Sequence, residues 1–118
     1  MADSVLFIGW SQPSRGREEK AVEVFGEAVA YYTGLQKQGE IESFEIVFLE
    51  PHGGDLGGFF LLRGDATKLG AVRTSDEFNR LNTRALLTVD GFGVVGGFAG
   101  DAIAGQMAIY QEAVGALT

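Results

Sequence analysis

At 118 residues with 46% hydrophobic side chains, the chain has the size of one domain, expected to span residues 1–118, and enough apolar matter for a core. It has no cysteine, which excludes disulfides, zinc–thiolate or iron–sulfur ligation and a thiol nucleophile. A net charge of −7 without any lysine/arginine run argues against nucleic acid as a partner, and no apolar run approaches the roughly eighteen residues of a membrane span.

"SVLFIGW", Ser4 to Trp10, is a short run of strand formers that stops at the turn-like "SQPSRG". From about Arg17 to Lys37, apolar residues recur at Ala21/Val22, Phe25, Ala28/Val29, Tyr32 and Leu35, with Lys20, Glu23 and Glu27 opposite. That spacing predicts a helix, with Ser11 or Ser14 as cap and Gly39 just past its end. Arg15 and Arg17 stand where acids are usually preferred; Glu18 and Glu19 offset them, so the arginines are expected in solvent.

In "IESFEIVFLEP", Phe44, Ile46 and Phe48 share one face, and Pro51 ends the run. "HGGDLGG" links it to "FFLLRG", so a hairpin with a long loop is expected. Next come two helical pieces. Asp65 caps one at about Ala66 to Val72, and Thr74 with Glu77 has the capping-box spacing for another carrying Phe78, Leu81 and Ala85. "GFGVVGGFAG" reads as a fourth strand. Asp101 is then placed to cap a helix whose apolar seam is Ile103, Met107, Tyr110, Val114 and Leu117. The order is β-α-β-β-α-β plus a C-terminal helix, an α+β ferredoxin-like arrangement with one antiparallel four-stranded sheet.

Gly91-x-Gly93-x-x-Gly96 matches the letters of a dinucleotide fingerprint. Such a site needs a helix opening at the glycines and a further strand about twenty residues on. The residues after Gly96 have room for one helix only, and the glycines alternate with Phe92, Val94 and Phe98 as in a strand. No cofactor is expected there. The bare strand is expected either to lie under an aromatic side chain or to leave a hollow for a ligand.

His52, the only histidine, shares its loop with Glu50 and Asp55. A metal site takes three or four ligands in fixed geometry, so no metal is expected; a polar hairpin end or a general acid/base role stays open. Trp10 either packs over a helix start or walls a small apolar pocket. Arg63 follows four apolar residues and needs a carboxylate, from Glu45 or Glu50, or a substrate anion. No nucleophile elbow is present. "MADSVLFIGW" lacks the basic start and cleavage site of a secretory signal, so a cytoplasmic location is the default expectation.

The element order, with the split second helix "RTSDEFNRLNTRA", resembles the dimeric α+β barrel superfamily over roughly Val5 to Ala99. That group includes small stress-responsive proteins and antibiotic-biosynthesis-type monooxygenases. "SxEF/Y" ahead of an arginine-bearing helix is a common look of their second helix. The resemblance implies a homodimer with sheets face to face and a small apolar molecule held between sheet and helices. Its monooxygenase-type members use Asn, Trp and His without a cofactor. By residue type this points to Trp10, Asn79, Asn82 and His52, with His52 as the catalytic candidate and Trp10, Arg63, Asn79 and Asn82 as ligand contacts. The expected function is small-molecule binding or a stress-related role; the alternative is a cofactor-independent monooxygenase or isomerase acting on a small aromatic or lactone substrate, and a structural partner in a larger complex is the third reading. Strands two to four carry apolar residues on both faces, and one helical layer covers only one of them, so the other face calls for a second copy or the C-terminal helix.

Overall fold

The computed structural model describes residues 3–117. Its elements are β1 (Ser4–Trp10), β2 (Gln12–Pro13), α1 (Glu18–Lys37), β3 (Ser43–Phe48), β4 (Gly58–Gly64), α2 (Ala66–Arg73), α3 (Asp76–Leu86), β5 (Val89–Asp90), β6 (Gly93–Phe98) and α4 (Ala102–Ala116). The main sheet runs β3-β4-β1-β6, with every neighbouring pair antiparallel. This is the expected α+β ferredoxin-like layout. The two-residue strands β2 and β5 form a small second sheet, Gln12 opposite Asp90, where a plain turn was expected.

Register sorts the side chains. Ile46, Phe60, Ile8 and Val94 lie in one row across the four strands, and directly opposed residues share a face. This face carries the core: Leu6, Ile8, Phe60 and Leu62 are buried against Val24, Ala28 and Tyr32 of α1, Leu69 and Val72 of α2, and Phe78 and Leu81 of α3. The next row along is Glu45, Leu61, Phe7 and Val95, on the opposite face. There Val5, Phe7, Val47, Phe59 and Leu61 are half-buried by one another, and Val95 is exposed. The Phe7 and Phe59 rings lie 4.8 Å apart on this face. α4 does not cover it, since α4 has no buried residue.

The caps depart from expectation in instructive ways. Asp65 accepts from the Lys68 amide, as expected. Ser75, not Thr74, caps α3 by accepting from the Phe78 amide. The Thr74 hydroxyl instead donates back to the Gly70 and Ala71 carbonyls and closes α2. α1 begins after Arg17 with no side-chain cap. Ser14, one of the expected caps, donates to Asp90 Oδ1 at 2.8 Å and ties β2 to β5. Arg17 is not simply solvated: its Nη1 donates to the Leu87 carbonyl at 2.9 Å, placing a cation at the C-terminal end of α3. Asp101 holds the N-cap position of α4 but makes no cap bond.

Among the described residues, no helix is long and apolar enough to cross a membrane.

Candidate functional site

The fingerprint glycines lie inside β6, paired antiparallel with β1, so no helix opens at Gly96. Gly91, at φ +65°, makes the tight turn between β5 and β6 that a side chain would strain. What covers the bare strand is not aromatic. A side chain built at Gly96 would meet the Arg73 guanidinium at 3.3 Å, and one at Gly97 would meet Val5 at 2.9 Å. Arginine and valine fill the space at these two positions, while a side chain at Gly93 would meet nothing within 4 Å.

Three hollows of the molecule share Trp10 as a wall, and two others lie at Tyr31, away from it. An inner cavity of about 50 Å³ lies between sheet and helices, bounded by Trp10, Phe25, Ala28, Tyr32, Phe60 and Asn82 among others. A notch of about 230 Å³, lined by Pro13, Val22 and Phe48 besides Trp10, Ala21, Phe25 and Val89, opens on the outer surface. A third hollow, of about 430 Å³, runs along the β3–β4 loop and is lined by Trp10, Phe48, Glu50 and His52. The physical cause is the end of β1. Trp10 is the last residue of the strand and lies on its helix-facing side. Its ring packs edge-on against Phe25 and Phe48, each at 6.2 Å, and tilted against Phe60 at 5.6 Å. Trp10 thus packs against Phe25, two turns into α1 rather than at its start, and lines the inner cavity.

The other candidates are dispersed. Asn82 is half-buried on α3, lines the inner cavity, and makes no side-chain hydrogen bond among the described residues. Asn79, one turn earlier, is exposed and away from that cavity; its carbonyl accepts from the Thr83 hydroxyl. Arg63 lies on the opposite sheet face, bonded to Glu45 at 3.0 Å. Glu45 is one of the two carboxylates expected for Arg63, but with side chains 42% and 52% exposed the pair lies at the surface and no burial compels it.

His52 is exposed, and both of its ring nitrogens are engaged. Nδ1 accepts from the Gly54 amide at 3.2 Å, and Nε2 lies 2.8 Å from the Leu56 carbonyl. A carbonyl only accepts and an amide N–H only donates, so the neutral ring with its proton on Nε2 satisfies both. The imidazole clamps its own loop. Among the described residues, Glu50, His52 and Asp55 do not gather into a metal-holding group.

Sequence pattern left Tyr32 and Phe25 as ordinary core positions. Tyr32 is buried at 1% exposure, packs edge-on against Phe60 at 5.0 Å, and makes no hydrogen bond through its hydroxyl among the described residues. Burial, with Tyr31 beside it, holds its phenol well above the ordinary range.

No protein-family model matches the chain, and no curated protein sequence matches it. Solved structures do. The chain is similar to a dimeric protein of unknown function and ferredoxin-like fold from Bacteroides fragilis (TM-score 0.60, 10% identity, 81% of this chain and 95% of that one). It is similar to the hydroxynitrile lyase of Passiflora edulis (TM-score 0.62, 11% identity, 86% and 97% covered). It is also similar to SnoaB, a cofactor-independent oxygenase from Streptomyces nogalater (TM-score 0.50, 15% identity, 84% and 93% covered). At these identities the likeness shows the fold: the chain has a ferredoxin-like α+β architecture, as its element order implied.

Proposed function

We propose that this chain acts as a homodimer, sheets face to face, that holds a small apolar molecule between sheet and helices. The observation that carries the reading is the convergence of three hollows on one tryptophan. The inner cavity is lined almost wholly by hydrocarbon, which selects apolar cargo. At about 50 Å³ it holds less than a ring; a dry cavity that takes benzene measures about 150 Å³. A ring-sized guest enters by pushing Trp10 or Phe25 toward the notch. Asn82 offers the guest one polar contact. The open apolar sheet face, and the dimeric state of a protein with this fold, support the homodimer.

Trp10 is the only tryptophan, so its emission reports on the site. Titration with p-cresol should shift or quench that emission saturably. Ala28→Val, which adds two carbons where the cavity meets α1, should raise stability by about 1 kcal/mol and weaken the response. A linear, unsaturable response, or one that Ala28→Val leaves untouched, refutes the site.

A second reading, catalysis without a cofactor on a small aromatic or lactone substrate, draws on Trp10 and His52 lining one groove. On that reading His52→Ala abolishes turnover and leaves the dimer intact; unchanged turnover removes His52 from the chemistry.

A further inference from the structure

We propose that α4 packs its apolar seam on a second copy of this chain, so that the helix is a clasp belonging to the assembly. The inference rests on the homodimer reading above and assigns the one element that reading leaves unplaced.

Ile103, Met107, Tyr110, Val114 and Leu117 stand at steps of four, three, four and three residues. That average of 3.5 lines the five up along the helix as in a seam against one facing surface, while Ile109, 60% exposed, extends the apolar surface beyond that line. All five are 47–88% exposed. Together they present on the order of 500 Å² of side chain, as much as the largest patch a monomer usually leaves open, and the apolar sheet face lies open besides. α4 does not fold back on its own subunit. The Cα radius of gyration is 16.4 Å, with extents of 54 × 38 × 23 Å, against the roughly 13–14 Å expected of a compact chain of this length.

Such a helix needs a partner in order to exist. Fifteen residues alone are marginal in water, and Gly105 costs about 1 kcal/mol in its interior. Area identifies the partner. Four strands about 4.8 Å apart and six residues long cover roughly 300–400 Å², about half of the ~800 Å² that each side of a stable interface buries. The seam supplies the remainder, and it leaves the body from β6, whose exposed Val95 lies on the same open sheet face. Charge argues against a lipid surface. From Ala102 to Ala116 there is no lysine or arginine and one acid, Glu112, whereas helices that lie on membranes are basic on their polar side.

Sedimentation equilibrium of the full chain, of Met107→Asp/Val114→Asp and of Leu61→Lys separates the possibilities. The wild type should dimerise, and the seam variant should raise the dissociation constant at least tenfold. Helical ellipticity of the wild type should fall on dilution below that constant, as α4 loses its cover. A chain ending at Gly100 should reproduce the seam variant, which guards against a folding artefact of the two aspartates. If the seam variant dimerises as tightly as the wild type while Leu61→Lys does not, the clasp is wrong and the sheet-face dimer stands. If the wild type is monomeric at every concentration, both fall. Seam-dependent binding of the wild type to phosphatidylcholine vesicles, with no dimer formed, overturns the clasp in favour of lipid.

Discussion

α3 and α4 are helices of similar length and opposite character. α3, "DEFNRLNTRAL", is mostly polar, yet it buries Phe78 and Leu81 and is held at its start by Ser75. α4, "AIAGQMAIYQEAVGA", is mostly apolar, yet it buries nothing and has no side-chain cap. Hydrophobic content alone therefore does not say which helix a subunit keeps for itself. What decides is whether the polar residues are gathered on one side, because only a helix with a wet face can lie on a sheet and still meet water. The same contrast divides the sheet. One face lies under three helices, and the other has only its own side chains for shelter.

The contrast is tested most severely by truncating one large apolar residue in each helix. Phe78→Ala should cost about 3–5 kcal/mol, since a 2%-exposed ring leaves a void in the core. Met107→Ala, measured by urea unfolding at concentrations where the chain is monomeric, should stay within about 0.5 kcal/mol. A comparable loss at both positions would mean that α4 is docked on its own subunit, and the contrast would vanish.

A second test uses acidity and probes only the covered side. Tyr32 is raised by burial first and by Tyr31 second, so its neutral form is the one the fold stabilises. The unfolded phenol titrates near the ordinary value of about 10. Between that value and the raised folded one, the unfolded chain binds fewer protons, and linkage makes stability fall as pH rises. The contribution is complete below about pH 10 and is lost above it. Tyr32→Phe should flatten the alkaline limb of a pH–stability curve followed by thermal melting. If Tyr32→Phe leaves the limb unchanged, some other group governs the alkaline loss.

Much of this was legible in the chain because the relevant forces are local. The period of α1, the Asp65 cap and the alternation in β3, β4 and β6 are each set by neighbours within a few residues, and all appear as expected. The misses are long-range. Whether "SQPSRG" pairs as β2 depends on Val89 and Asp90, more than seventy residues away, and two-residue strands carry no pattern of their own. Arg17 looks misplaced until Leu87 arrives beside it. For the site, pattern identified Trp10 and Asn82 by type. It could not show that Tyr32 and Phe25 share their cavity, nor that both nitrogens of His52 are taken by its own loop. Periodicity marks such residues as buried or turn-like, and says nothing about empty space.

The smallest effect separates the two helices at their first residues. Ser75 and Asp101 are both N-cap residues of types that favour the position, and sequence ranks them nearly alike. Ser75 has extended backbone angles, φ −73° and ψ 150°, which aim its hydroxyl at the Phe78 amide. The same hydroxyl group also reaches the Val72 carbonyl at 2.8 Å and lies 3.4 Å from the Tyr31 hydroxyl. Asp101 sits at φ −65° and ψ −21°, already helical, and its carboxylate caps no amide. Ser75→Ala should therefore cost about 1 kcal/mol and Asp101→Ala only a few tenths. Parallel urea titrations of the two variants resolve the difference. An equal cost at both positions would show that Asp101 forms its cap in solution, with α4 starting as firmly as α3.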